Sequence, residues 1–206
     1  MRRKHCEVTD PKAIRTLLES CTIGRLATTD ANGYPYITPV HDVFCNGRIY
    51  LHSSPKGEKI DNIRRDNRVG FQVDIPLAYV DLPFRPAQGP CRLHQLYQSV
   101  VIRGRARLVE NLAEKTAALN ALVAAHEKGS QVPHVTEDLP AVQACAVIEI
   151  TPEKTTAKFN LWQNKPPKDR KALADELRRR NRPEDRKTLA ALTLENQVTD
   201  GDQTPE

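Results

Sequence analysis

The chain has 206 residues, a net charge of +5 and 39% hydrophobic residues, which suffices for one ordinary domain with appendages. No run of apolar residues is long enough for a membrane-spanning helix, so no membrane partner is expected. Aromatic residues make up 5% of the chain, too few for base-stacking platforms, and the basic residues of "KDRKALADELRRRNRPEDRK" alternate with acids as on a solvated helix face. Both features argue against a nucleic-acid partner.

The opening "MRRKHCEVTDPKAI" is basic but lacks an apolar stretch, so no secretory signal is expected. Five scattered cysteines (Cys6, Cys21, Cys45, Cys91, Cys145) form no C-x-x-C pair. They read as reduced thiols and point to a cytoplasmic location. "TDPKAIRTLLESC" predicts a short helix, capped by Asp10 and started by Pro11. "TIGRLATTD" and "YPYITPVHDVFC" predict two strands joined at Asn32-Gly33, and Asn46-Gly47 turns the chain into a third strand, "RIYLHS". A helix follows from near Glu58, then a fourth strand, "RVGFQVDIP".

The proline-rich residues 76–90 predict a surface loop. "YQSVVIRGRARLVE" predicts a long strand, bent or bulged at Gly104. Alternation along it sends Tyr97 and Ser99 to one face and Val100 to the other. "NLAEKTAALNALVAAHEKG" predicts a helix between Asn111 and Gly129, and "ACAVIEIT" a last strand. Short, hairpin-connected strands predict a mainly β fold with flanking helices, a six-stranded antiparallel barrel. The expected domains are 1–165 and a C-terminal helical extension, 166–206, with two helices parted at Arg182-Pro183 and a disordered "VTDGDQTPE".

"YLHSSPKGEKIDNI" concentrates chemistry. Ser53 and Ser54 offer hydroxyl donors, Lys56 and Lys59 offer charge, and the helix start adds free N–H groups. Together they suit a phosphate, although the glycine pattern of a Walker loop is absent. A plain turn before a basic helix is the competing reading. His41 and His52 fall on neighbouring strands with no third ligand spaced to join them, so no metal site is expected. No Ser-His-Asp arrangement or carboxylate pair stands out, and catalytic residues stay unassigned.

The stretches "GRLATTDANGYPYITPV", "YLHSSPKGEKIDNIRRDNRVGFQVD" and "YQSVVIRGRARLVEN", together with the opening segment, resemble the pyridoxamine 5'-phosphate oxidase-like flavin-binding split β-barrel proteins. Within that group the sequence is most similar to the 5-nitroimidazole-resistance (Nim) related flavoproteins. "KFNLWQNKPPKDRKALADEL" is also similar to a "QN" segment of FMN-binding relatives described as transcriptional regulators. The resemblance implies FMN, ahead of FAD or haem, with its phosphate at Ser53, Ser54, Lys56 and Lys59. It implies ring contacts from Thr38, Pro39, Val40 and His41, and a flavin or substrate contact from His52. Arg25 would touch the phosphate or the pyrimidine edge, unless it forms a surface ion pair. A homodimer is implied, with Tyr97, Ser99, Trp162 and Gln163 supplied near the flavin across a two-fold interface. Trp162 would stack on the ring or pack the interface. The implied activity is an oxidoreductase acting on a small electron-poor substrate. The alternatives are a flavin-binding regulator and a haem-binding split barrel.

Overall fold

The computed structural model describes residues 2–81, 84, 93–129 and 131–200, and the side chains of 194–200 lie outside the description. A 3-10 turn at Lys4–Cys6 leads into β1 (Glu7–Val8) and α1 (Pro11–Ser20). There follow β2 (Gly24–Thr29), β3 (Pro35–Val40), β4 (Asp42–Cys45), β5 (Arg48–Ser53), α2 (Glu58–Arg65), β6 (Arg68–Val80) and β7 (His94–Leu108). The remainder is α3 (Leu112–His126), α4 (Pro140–Ala144), β8 (Ala146–Asn160), α5 (Pro167–Arg180) and α6 (Pro183–Asp200). The strands hydrogen-bond in the order β3-β2-β6-β7-β8-β5-β4, with β1 on β8. The architecture is the antiparallel split barrel with flanking helices that the sequence predicts, but it has eight strands where six are expected. The "YPYITPVHDVFC" strand breaks at His41 into β3 and β4, and Glu7–Val8 adds a two-residue strand.

Local sequence accounts for the elements. Asp10 accepts from the N–H groups of Lys12 and Ala13 at 3.0 and 3.2 Å, which starts α1. Asp30 accepts from the amides of Asn32 and Tyr34, both at 2.8 Å, and closes the β2–β3 turn. Asn46 and Gly47 both take positive φ, 52° and 77°, as the β4–β5 hairpin requires. No bulge is needed to explain Gly104. A Cβ there would collide with the carbonyl oxygen of Thr151 on β8.

The chain groups into two compact units. The first holds Thr9–Asp74 and Val100–Thr156. Its core includes Leu26, Ile49, Leu51, Ile60, Phe71, Ile102 and Ile148, all fully buried. Val100 belongs to this core at 0% exposure, so its side chain faces inward within the chain.

The second unit holds Met1–Val8, Ile75–Ser99 and Ala157–Glu206. Leu77, Leu96, Leu161, Trp162, Leu173, Leu177, Ala191 and Leu192 form its core. Two expectations change here. Residues 76–80, predicted as loop, continue β6, and Leu77 and Val80 are buried; most of the rest of that predicted loop lies outside the described residues. The tail does form two helices parted at Asn181, which takes φ 53°, but they are not merely solvated, because each buries an apolar edge. Residues 198–200 of the expected disordered end are helical, and 201–206 lie outside the described residues.

Candidate functional site

In the first unit, β5 ends at Ser53 and the chain turns through Ser54, Pro55 and Lys56. The Lys56 amide donates to Ser54 Oγ at 3.3 Å. Gly57 takes φ 121° and ψ 165°, a conformation open to glycine, and its carbonyl accepts from Ile60 and Asp61 at 2.9 and 3.2 Å. The Glu58 and Lys59 amides precede that first bonded pair and, as at any helix start, have no acceptor within the helix. The helix itself is fixed from below. Ile60 and Ile63 are buried, and Asn62, 2% exposed, donates from Nδ2 to Thr28 Oγ1 on β2 at 3.0 Å. Arg65 donates to Asn62 Oδ1 at 2.9 Å and to the Thr29 carbonyl. Ser54 and Lys56 are exposed and Ser53 and Lys59 half-buried, and neither lysine has an ion-pair partner among the described residues.

The β2–β3 hairpin aligns the next group. Arg25 stands opposite Pro39, Leu26 opposite Thr38 and Gly24 opposite Val40. Arg25 is tied to Asp74 at 2.5 Å, so the ion-pair reading describes its place in the free chain. Pro39 is exposed, Val40 is buried, and Thr38 turns inward with a buried Oγ1 that has no hydrogen-bond partner among the described residues. His41 is exposed at the break between β3 and β4. Asp42 pairs with Leu51, so one further step of register would set His41 opposite His52, itself exposed. The His41 ring lies 5.2 Å from that of His126, whose Nε2 is 2.9 Å from the Asp42 carbonyl oxygen.

The four remaining expected residues fall in the second unit. Tyr97 accepts from Lys158 Nζ, and Ser99 Oγ donates to the Lys158 carbonyl at 3.4 Å. Trp162 takes φ 64°, is 3% exposed, and donates from Nε1 to His94 Nε2 at 2.6 Å. Gln163 bridges the Leu161 amide at 2.8 Å and the Phe159 carbonyl at 2.5 Å. Trp162 and Gln163 thus build the start of the tail within their own chain.

Two residues escape a reading by motif. Asp42 is 2% exposed, its carboxylate oxygens find no hydrogen-bond partner among the described residues, and burial pushes its pKa up to about 7; the nearby Gly24 amide pulls the other way without hydrogen-bond geometry. Burial, reinforced by Asp42 and then Asp74, pushes the Cys21 thiol up to about 11, well away from a reactive thiolate. Asp42 shares strand parity with buried Val40, and that parity is the signal that marks it in the sequence. The other is Lys158, whose only sequence signal is an inward-outward alternation with Ala157.

A family model described as pyridoxamine 5'-phosphate oxidase matches residues 10–159. Among solved structures, a candidate 5-nitroimidazole antibiotic resistance protein from Bacteroides thetaiotaomicron is 24% identical, covers 74% of this chain and 85% of its own, and has a TM-score of 0.62. Flavocytochrome Anf3 from Azotobacter vinelandii is 20% identical over 77% of this chain and 72% of its own, with a TM-score of 0.64. An FAD and haem binding protein from Mycobacterium smegmatis is 14% identical over 81% of this chain and 78% of its own, with a TM-score of 0.66. At these identities the likeness to the solved structures is one of fold. No curated protein matches the sequence.

Proposed function

The chain belongs to the pyridoxamine 5'-phosphate oxidase family, and from that premise we propose that it is an FMN-binding oxidoreductase that reduces a small electron-poor molecule. The observation that carries the reading is the turn before α2. It presents two hydroxyls, two lysines without ion-pair partners among the described residues, and the first amides of a helix anchored by Asn62 and Ile63. Such a set of donors matches a phosphate monoester, which has three acceptor oxygens and nearly two negative charges. The unpartnered Oγ1 of Thr38 is a second fitting feature, a donor awaiting an acceptor.

FMN held there would supply the electron transfer. The chain's own part is to bind the phosphate at Ser53, Ser54, Lys56 and Lys59, and to orient the ring with Thr38, Pro39, Val40, His41 and His52. Tyr34 and Ile37 are exposed at 71% and 61%. A second copy of the chain is the proposed cover for that hairpin, which makes the working form a homodimer. The printed descriptions of the flavocytochrome and the FAD and haem binding protein support a flavin and keep haem as the second reading.

The absorption spectrum of the purified protein is the test. A flavin band near ~450 nm upholds the proposal, and a Soret band near ~400 nm alone would replace flavin by haem. Protein that binds neither added FMN nor haem would sink both.

A further inference from the structure

We propose that Asp42 is the proton-operated latch of strand β4 and, through His41, of the flavin pocket: β4 stays shut while the Asp42 carboxyl keeps its proton and opens by giving it up. The strand is suited to move. It is four residues long, lies at the end of the sheet and pairs with β5 alone among the described strands. Its other cover comes from α1 and α3, which pack against it. His126, the last residue of α3, donates from Nε2 to the Asp42 carbonyl at 2.9 Å. Both the neutral Nε2–H form and the imidazolium keep that donor, so this tie does not itself sense pH.

Asp42 is the buried residue of β4, while Val43, Phe44 and Cys45 are half-buried. A Cβ at Gly24 would stand 2.7 Å from Asp42 Oδ1 and would collide with the Phe71 ring, so the carboxyl rests against bare backbone and a buried aromatic. Neither of its oxygens has a hydrogen-bond partner among the described residues. The groups around it bring no compensating charge. At the end of α1 it is faced by the Cys21 thiol, which burial first and Asp42 next push up. Lys12, Arg15 and Glu19 of that helix are exposed. On α3, Lys115 donates to the Gln143 carbonyl and Glu114 accepts from Arg107. On β5, Leu51 stands opposite, His52 is exposed, and Arg48 and Tyr50 turn to Glu149. Arg25 on β2 is held by Asp74 on β6. An ionised Asp42 in the shut strand is therefore a bare buried charge, and lifting β4 is the move that brings water to it.

Burial holds the proton on Asp42 to about pH 7 in the shut strand, against the usual 3.8 once water reaches the carboxyl. Opening thus releases a proton. It is hardest below about pH 4, becomes easier by roughly 10-fold per pH unit on the way to pH 7, and levels off above. His41 immediately precedes β4, so the strand that opens carries one of the proposed ring contacts with it. That link to the cofactor rests on the flavin reading; the latch does not.

The test is amide hydrogen exchange of the full-length, flavin-free protein, read by mass spectrometry between about pH 5 and pH 7 and corrected for the intrinsic exchange rate. In wild type, β4 should lose protection roughly 10-fold per pH unit. It should exchange ahead of the core strands at Phe71 and Ile148, at rates that sub-denaturing urea leaves nearly unchanged, as a local opening requires. Asp42→Asn keeps the shape without the titrating proton, and its β4 should show no such slope. Flat protection in wild type, the same slope in Asp42→Asn, or β4 exchange only in step with Phe71 and Ile148 overturns the latch. The two wild-type outcomes decide it even where the variant does not fold. Riboflavin, which lacks the titrating phosphate, forms the second arm. At about 100 times its dissociation constant it should slow β4 opening ~100-fold. Riboflavin that binds without slowing β4 overturns the link through His41. Failure of both riboflavin and FMN to bind sinks the flavin reading and that link together, and the pH slope of β4 then decides the latch alone.

Discussion

Arg180, the last residue of α5, and Asp185, in the first turn of α6, form an ion pair at 2.5 Å with side chains 7% and 1% exposed. Asp185 also accepts from the Arg182 amide at 3.0 Å, half of a capping box at the start of α6. Arg180 reaches further, to Asp81 at 2.9 Å and the Tyr79 carbonyl at 3.1 Å, so one guanidinium joins α5, α6 and the end of β6. Asp185→Ala leaves that guanidinium half-neutralised and the helix uncapped. Breaking a buried pair costs about 3–5 kcal/mol, and urea unfolding of the variant should show a loss of that order. A loss under 1 kcal/mol would mean that Asp81 alone satisfies Arg180.

Asp42 predicts a pH dependence. Its pKa is raised from the usual 3.8 to about 7 by burial, so the folded state holds a proton that the unfolded chain releases. The associated stability is complete below about pH 4, falls as pH rises towards 7, and is flat above that. The full change is about 4 kcal/mol at 1.36 kcal/mol per pH unit. Asp42→Asn has no such proton. Its stability relative to wild type should therefore improve between pH 4 and pH 8, read from urea midpoints at each pH. A constant difference across that range would show that Asp42 finds a partner when ionised.

Lys59→Ala tests the phosphate turn. Loss of a charge-assisted hydrogen bond costs about 1.5–3 kcal/mol, which weakens FMN roughly 10- to 150-fold. Riboflavin lacks the phosphate and should bind the variant as it binds wild type, by fluorescence quenching. Equal losses for both ligands would move the phosphate elsewhere.

Truncation after Lys165 is expected to fail as a soluble protein. It strips Leu173, Leu177, Ala191 and Leu192 from the core they share with Leu77, Leu96 and Trp162. Each buried leucine contributes about 1.5–3 kcal/mol. Dye binding by the truncated chain should report an exposed apolar surface. A monodisperse product with an unchanged melting temperature would return the tail to the role of a solvated appendage.

The hairpins were legible because their turns are written locally: Asn32-Gly33 and Asn46-Gly47 leave few conformations open. The helix after Gly57 was legible for the same reason. The far half of β6 was not, since Pro76 resembles punctuation. The proline is exposed, and the apolar residues around it, Leu77 and Val80, are what hold the strand. In the tail, the charge alternation hid Leu173 and Leu177, four residues apart and both buried. The phosphate turn could be picked out because its donors are adjacent in sequence. The Lys158–Tyr97 pair could not, since 61 positions separate its members and only the β7–β8 pairing brings them together.

The second unit draws its core from both ends of a long stretch of chain, and this sets an order of events during synthesis. Leu77 leaves the ribosome about a hundred residues ahead of Leu177, which covers the same core. At ~5–20 residues per second, that is roughly 5–20 s in which the apolar end of β6 lacks the cover of α5 and α6. The first unit, complete at Thr156, can form in the meantime. A nascent chain stalled before α5 would thus carry one finished half and one sticky half, and the cell's holding chaperones would meet this protein through β6.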